Sequence, residues 1–386
     1  MRETGRSIVF RDDTSGHCTV FADPLEIVVA DQPDDLRPAL ARLEAAHRSG
    51  KWLAGYLSYE AGYLFEDKLK PLLPQRRSTP LLNFGVFDAP TGNDHPRAKA
   101  PSPSTNEPPI SRAVAAWDLA AYQQRFDRLH QHLRQGDCYQ ANLTMPISAH
   151  WQGSPQEVFW ALIDRQPVKY GALVDLGGPV IVSRSPELFF AVDEDRFIET
   201  HPMKGTARRG ADATEDAEII EALKADEKTQ AENRMIVDLL RNDISRITET
   251  GTLTVPRLFD VETYPTLHQM VSHVRARLRP EIGLSDIFEA LFPCGSITGA
   301  PKIRAMQILR ELESVPRDIY CGAIGYVAPS GAMQFSVAIR TLALFKDGRA
   351  VFNVGGGIVF DSTVEAEYEE CLLKARFAVG DQWISR

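Results

Sequence analysis

The stretch Met333-Gln334-Phe335-Ser336-Val337-Ala338-Ile339-Arg340-Thr341-Leu342-Ala343-Leu344-Phe345-Lys346-Asp347-Gly348-Arg349-Ala350-Val351-Phe352-Asn353-Val354-Gly355-Gly356-Gly357-Ile358-Val359 decides the fold class. Apolar residues dominate up to Phe345 and again from Ala350, with Lys346-Asp347-Gly348 between them. That pattern predicts two strands, Met333 to Phe345 and Ala350 to Val359, joined as a hairpin. Neighbours joined by so short a turn run antiparallel, because a parallel pair needs a long crossover. A further strand, Ile319 to Val327, lies just upstream.

Working outward, the same grammar recurs. Strands are expected ending at Val28-Val29-Ala30, over Trp52 to Tyr59, Tyr139 to Ile147, Tyr170 to Val174, Val180 to Ser183 and Glu187 to Val192. Helices are expected over Asp34 to His47 and, capped by Asp118, through Tyr122, Phe126, Leu129 and Leu133 to Gly136. Others are Ser154 to Gln166, Asp212 to Arg246, Leu284 to Leu291 and Pro301 to Leu312. A last helix starts near Ser362, where Ser362 and Glu365 form a capping-box pattern. Strands in runs with hairpin joins predict an α+β fold with antiparallel sheets. No internal repeat interrupts it. Residues 1–87 read as the N-terminal part of the sheet framework and 112–386 as one continuous unit. Between them, 88–111 is proline-rich and polar, a linker or long surface loop.

The 386 residues are 44% hydrophobic and 25% charged, an ordinary globular composition. A chain of this length buries enough surface to need no disulfides. Five scattered cysteines form no C-x-x-C pair or zinc spacing, which fits a reducing cytoplasm. MRETGRSIVF lacks a signal-peptide run, and no apolar stretch is long enough to span a membrane. A net charge of −9 argues against nucleic acid as the main partner. No G-x-S-x-G elbow or cysteine-nucleophile signature appears, which disfavours serine and cysteine hydrolases.

Six local patterns suggest chemistry. In His201-Pro202-Met203-Lys204-Gly205-Thr206, proline and glycine shape a turn that presents one amine. A lysine is a nucleophile when neutral, and burial or nearby positive charge favours that form. Alone, the same turn describes a plain surface lysine. On the last helix Glu367, Glu370 and Lys374 share one face, either a solvated ion-paired face or a site. Glu232, in Ala231 to Asp243, sits by an apolar stripe and so needs a cation, metal or hydrogen-bond partner. Mg²⁺ takes one or two protein carboxylates and completes its shell with water and ligand oxygens. Glu232 with Glu370 meets that need if the two come together.

Pro293-Cys294-Gly295-Ser296-Ile297-Thr298-Gly299-Ala300-Pro301-Lys302 leads into a helix. Its N–H groups and hydroxyls suit an anion, or it is a tight structural turn; it is not a Walker A loop. Gly355-Gly356-Gly357 lets backbone approach a ligand closely. Arg340 ends an apolar run, either as a bidentate carboxylate partner or as an edge-strand arginine. The inventory implies a small polyanion, with a carboxylate, as substrate.

Together these segments resemble the chorismate-utilising enzymes. The resemblance rests on Gly136 to Thr144, Ser185-Pro186-Glu187, Pro202 to Thr206, Ala231 to Asp243, Gly295 to Lys302, Tyr320 to Tyr326, and Gly355 through Lys374, in the family's order. It implies two large antiparallel sheets flanked by helices, a four-layer sandwich, with 112–386 as the chorismate-binding catalytic part. Anthranilate-forming members have alanine where this chain has Lys204, and water-using members have a lysine base where it has Gln140. Both positions imply ammonia as the incoming group and a 4-amino product, on the route to 4-aminobenzoate and folate. The other readings within the resemblance are an anthranilate-forming enzyme and a non-catalytic chorismate-binding protein.

The resemblance also implies roles. Lys204 would attack the ring while Glu187 protonates the leaving 4-hydroxyl, with His268 beside the ring. Tyr320, Arg340 and Gly357 would hold the enolpyruvyl carboxylate, and Lys374 the ring carboxylate. Ser296, Thr298 and Thr206 would line the pocket. Glu232 and Glu370 would hold Mg²⁺, with Glu367 in support. No glutaminase cysteine signature is present, so ammonia is expected from a separate glutamine amidotransferase subunit. Release of 4-aminobenzoate would fall to a separate lyase.

Overall fold

In the computed structural model, residues 5–92, 108–264 and 267–380 are described. In chain order the described strands are β1 (Ser7–Arg11), β2 (Cys18–Ala22), β3 (Glu26–Ala30), β4 (Trp52–Leu57), β5 (Leu82–Phe87), β6 (Ile110–Ala115), β7 (Gln140–Trp151), β8 (Tyr170–Asp175), β9 (Val180–Ser185) and β10 (Leu188–Val192). They continue with β11 (Phe197–Thr200), β12 (Met203–Arg208), β13 (Thr254–Thr263), β14 (Leu267–Arg277), β15 (Gly299–Ala300), β16 (Ala323–Val327), β17 (Met333–Val337), β18 (Thr341–Leu344) and β19 (Arg349–Ile358). The helices are α1 (Leu36–Arg48), α2 (Leu119–Arg134), α3 (Pro155–Arg165), α4 (Ala213–Ala225), α5 (Glu227–Ser245), α6 (Leu284–Leu291), α7 (Lys302–Leu312) and α8 (Val364–Val379).

The strands form two sheets, and every pair is antiparallel. Sheet one runs β15-β7-β19-β18-β9-β8-β1-β2, with β6 also on β7. Sheet two runs β12-β14-β11-β10-β17-β16-β4-β5-β3, with β13 also on β14. One apolar cluster packs α2, α3, α7 and α8 on sheet one, through residues such as Tyr122, Phe159, Leu309, Phe352 and Phe377. Another packs α1, α5 and α6 on sheet two, around Leu40, Ile236, Phe288 and Phe335. A smaller cluster, including Ile8, Phe21, Tyr56, Phe87, Ile181 and Ile324, lies between the sheets. Each fully buried side chain of this size contributes about 1.5–3 kcal/mol. The order helices, sheet, sheet, helices is the expected four-layer α+β sandwich.

Several local expectations are corrected. The apolar run Met333 to Phe345 is two strands in different sheets, parted at Ala338–Arg340, where Arg340 has φ +51. The helix expected over Asp212 to Arg246 breaks at Asp226, whose side chain caps α5 by accepting from the Thr229 N–H. Ser362 does not build a capping box with Glu365. It accepts from the Val359 N–H and donates to Glu367 Oε1 instead. The hairpin between β18 and β19 forms as expected, with Gly348 at φ +84. Ile110 and Ser111, read as linker, pair with β7, while 93–107 of that segment lies outside the described residues.

Candidate active site between the sheets

Two chain crossovers fix the site. Between β9 and β10 the chain passes from sheet one to sheet two through Pro186 and Glu187. Between β17 and β18 it passes back through Ala338, Ile339 and Arg340. The crossovers lie side by side: the Val337 N–H donates to the Glu187 carbonyl (3.1 Å) and the Arg184 N–H to the Arg340 carbonyl (2.9 Å). A crossover peptide belongs to neither ladder, so its side chain is free to enter the space between sheets.

Glu187 is buried, and its Oε1 accepts from the Ser296 hydroxyl at 2.6 Å. Burial pushes its pKa up; the Ser296 bond and the charges of Lys204, Arg340 and Lys374 oppose this. Arg340 makes no side-chain hydrogen bond or ion pair to the described residues. Burial lowers its pKa to about 10, opposed by the nearby Glu187 and Tyr320. An enclosed guanidinium without an anion is poised to take one. Tyr320 is also buried, and its backbone N–H donates to the Arg317 carbonyl at 3.0 Å.

Lys204 projects from the edge strand β12. The β12–β14 register shifts between Met203 and Thr206, and Gly205 has φ +79. A Cβ on Gly205 would run into Thr229 of α5, so the bulge needs glycine for both conformation and space. The amine reaches sheet one: a Cβ on Gly357 of β19 would lie 3.5 Å from Lys204 Nζ and would collide with the Gln140 side-chain amide. The amine is closely surrounded although part of the residue surface stays accessible. Burial lowers its pKa, helped by Lys374 and opposed by Glu232, Glu187 and Glu370. Gln140 is buried, and its Oε1 has no partner among the described residues.

Behind the glycine run stands α8. Lys374 Nζ donates to the Gly355 carbonyl (2.8 Å) and pairs with Glu370 Oε1 at 2.6 Å. A Cβ on Gly356 would lie 2.8 Å from Glu367 Oε2 and 3.7 Å from Glu370 Oε1. Burial raises the pKa of Glu367, and so do the negative charges of Glu370 and Glu232. Glu232, on α5, is half-buried and makes no bond to the described residues. The three carboxylates therefore lie in one another's field, with Lys374 paired to Glu370 and acting on Glu367. No closed group of three or more His, Cys, Asp or Glu ligands occurs among the described residues. The fit is to an open set, of the kind Mg²⁺ completes with water and substrate oxygens.

Other residues named from the sequence do different work. His268 is buried, with Nδ1 on the Thr263 hydroxyl and Nε2 on Asp216, both at 2.9 Å. It braces β13 against α4, with both ring nitrogens bonded. Thr206 is exposed, and its hydroxyl donates to Gln269. The Thr298 hydroxyl donates to the carbonyls of Cys294 and Gly295, closing its own turn. The N–H groups of Ile297 and Thr298 are likewise used within the turn. The turn thus offers Ser296 to Glu187 and turns the N–H groups of Ile297 and Thr298 inward.

Sequence reading missed two buried ion pairs that hold this scaffold. Lys302 Nζ donates to Asp243 Oδ2 (2.7 Å) and to the Leu291 carbonyl (2.9 Å), tying α7 to α5. Arg317 pairs with Glu313, its Nη2 to Oε1 at 2.7 Å. Charged residues inside otherwise apolar runs were the available signal, but their pairing is a property of the folded chain.

The sequence profile described as chorismate binding enzyme matches residues 5–380. This chain belongs to that family. It is 37% identical over 373 residues to aminodeoxychorismate synthase component 1 of Escherichia coli, covering 91% of this chain and 81% of that protein. It is 39% identical over 246 residues to anthranilate synthase component 1 of Aquifex aeolicus, covering 64% and 49% of the two chains. Among solved structures, anthranilate synthase component I of Streptococcus pneumoniae superposes with TM-score 0.75 at 26% identity, covering 97% of this chain and 90% of that one. The menaquinone-specific isochorismate synthase of Escherichia coli shares the fold, with TM-score 0.73 at 18% identity over 98% of this chain and 88% of that one. No described helix is long and apolar enough to cross a membrane.

Proposed function

We propose that this chain is the chorismate-aminating component of an aminodeoxychorismate synthase, forming 4-amino-4-deoxychorismate with Lys204 as a covalent nucleophile. The observation that carries this reading is the placement of Lys204. An amine with a lowered pKa and no bonded partner faces the glycine run, in the same field as a buried acid.

The chemistry divides among the chain's own groups. Neutral Lys204 bonds to ring C2 as protonated Glu187 gives its proton to the 4-oxygen, which departs as water while the ring double bonds shift. Ammonia then bonds to C4, the double bonds return, and the C2–N bond breaks to release neutral Lys204. The new C4 ammonium gives a proton to the Glu187 carboxylate, restoring the acid. Two substitutions replace one harder one. Arg340 and Tyr320 hold the enolpyruvyl carboxylate, and the bare backbone at Gly357 lets it approach. Lys374 stands ready to exchange Glu370 for the ring carboxylate. Mg²⁺, when bound, supplies positive charge to that carboxylate, and Glu232 and Glu370 would hold it with Glu367 in support.

Ammonia would come from a glutamine amidotransferase subunit, consistent with the "component 1" in the relatives' names. Five buried free cysteines suit a reducing compartment such as the cytoplasm. Matches to anthranilate synthases keep a second reading, the 2-amino aromatic product, which Lys204 disfavours. One assay separates them: chorismate, Mg²⁺ and an ammonium salt, with and without added lyase. A non-aromatic amino product that yields 4-aminobenzoate only with lyase is expected. Direct appearance of anthranilate would overturn the reading, as would chorismate binding without turnover. Lys204→Ala should lose the 4-amino product at limiting ammonia, and an unchanged yield would exclude the covalent step.

A further inference from the structure

A buried cation behind the catalytic acid has no part in the chemistry above. Arg317 is almost wholly enclosed, and each of its three nitrogens donates a hydrogen bond. Nε donates to Glu313 Oε2 (2.8 Å) and Nη2 to Glu313 Oε1 (2.7 Å). Nη2 also donates to the Asn142 carbonyl (2.7 Å) and Nη1 to the Ile297 carbonyl (3.1 Å). Glu313 Oε1 in turn accepts from the Thr144 N–H and hydroxyl, both at 3.0 Å. The guanidinium therefore bolts two things together: β7 of sheet one, and the turn carrying Ser296.

Ile297 follows Ser296 directly, and the Asn142 N–H donates to the Thr298 carbonyl at 2.9 Å. The turn is thus held at Ile297 and Thr298, and its hydroxyl at Ser296 meets Glu187. A fork of fixed donors sets a carbonyl's position more narrowly than a flexible ammonium does.

We propose that Arg317, oriented by Glu313, is a positioning residue for the acid Glu187, acting through the Ile297 carbonyl on the Ser296 hydroxyl. The proposal rests on the role given to Glu187 above. Arg317 touches neither Glu187 nor Lys204. Its effect is to keep Ser296 where it donates to the Glu187 carboxylate.

The groups facing Glu187 are Ser296 and Cys294 on the turn, Lys204 on β12, Arg340 on the neighbouring crossover and Lys374 on α8. Of these, Ser296 makes the direct hydrogen bond to the Glu187 side chain, and that bond favours the carboxylate. Releasing the turn must therefore raise the pH at which Glu187 ionises.

The test is a cycle built from Ser296→Ala and the paired variant Glu313→Gln/Arg317→Met. Changing both partners leaves no isolated buried charge, so folding is expected. Arg317→Lys, which keeps the charge but not the fork, is the milder second variant. The readout is the infrared carboxyl stretch of Glu187 against pH, assigned by Glu187→Gln, together with kcat and KM. The paired variant should move the Glu187 midpoint upward, in the direction Ser296→Ala moves it, and add nothing when combined with it. kcat should fall by about tenfold, with KM nearly unchanged, and Arg317→Lys should fall between. An unmoved midpoint, with only the melting temperature lowered, would overturn the proposal, as would a shift that adds to that of Ser296→Ala. Because the infrared titration needs no turnover, it tests the positioning role even if the proposed reaction is wrong.

Discussion

Lys204 and Gly357 face each other across the gap between the sheets, with room for no side chain at 357: a Cβ there would stand 3.5 Å from Lys204 Nζ and against the Gln140 amide. Gly357→Ala is expected to fold, since the obstructing group is the end of the Gln140 side chain and Lys204 Nζ would stand at ordinary contact distance. A methyl between the glycine run and the amine takes space from the substrate, and misplacing the reacting atoms by about 1 Å costs on the order of a hundredfold. kcat/KM for chorismate should fall by about that much while the melting temperature holds. Full activity in this variant would place the substrate elsewhere.

Lys204 and Glu187 titrate in each other's field, so the pH–rate profile belongs to the pair. Lys204 must be neutral, so activity rises with pH through its lowered pKa. Glu187 must be protonated, so activity falls as pH rises through its raised one. Lys374→Met removes a positive charge that lowers both values, and it frees Glu370, whose charge raises that of Lys204. Both limbs should therefore shift to higher pH. Movement of either limb downward would contradict this electrostatic account.

Glu370→Ala removes one of the two carboxylates assigned to Mg²⁺ and leaves Lys374 without its partner. Activity should drop by about a hundredfold or more. Calorimetric Mg²⁺ binding in the presence of chorismate should weaken in step. A variant with a normal Mg²⁺ response would move the metal away from α8.

Glu60 offers a test of stability away from the reaction. It is buried, its Oε1 accepts from the Arg317 N–H at 2.8 Å, and its Oε2 has no partner among the described residues. Burial, with the nearby Asp318, raises its pKa from 4.5 to about 8. Between those values the folded chain keeps a proton that the unfolded chain releases. Its contribution is therefore complete below the unfolded value and is lost as pH rises toward 8. Glu60→Gln should flatten that decline and be more stable than the parent at pH 8 by about 2–4 kcal/mol. Denaturant unfolding at pH 5 and pH 8 measures the difference; equal slopes would mean Glu60 is not protonated in the fold.

The α+β class with antiparallel sheets was legible because strand runs and hairpin turns are local signals, whereas the layer order followed from the family resemblance. Lys346-Asp347-Gly348 announced its hairpin, and the glycine run marked a close approach that the Lys204 contact explains. The break at Ala338–Arg340 was invisible, because one unbroken apolar run serves equally as one strand or as two strands in different sheets. The ring partners of His268 were hidden for a related reason. Its chain neighbours lie near Lys204, but the ring is taken by Asp216, far along the chain on α4. Ser362 looked like half of a capping box until Glu367 proved a better-placed acceptor for its hydroxyl. Partners set by tertiary approach leave little trace in spacing.

The threading of the chain through both sheets bears on how it is made. β1 waits for β8, and β4 cannot gain its second neighbour until β16 has been synthesised. β19 then enters between β7 and β18, after every other described strand. During translation, early strands with unpaired edges must persist until late ones emerge from the ribosome. Such long-range pairing is slow and prone to aggregate. Yield in the cell should therefore depend on chaperone capacity and translation speed, and the Lys204–Gly357 junction is assembled only once β19 has been made.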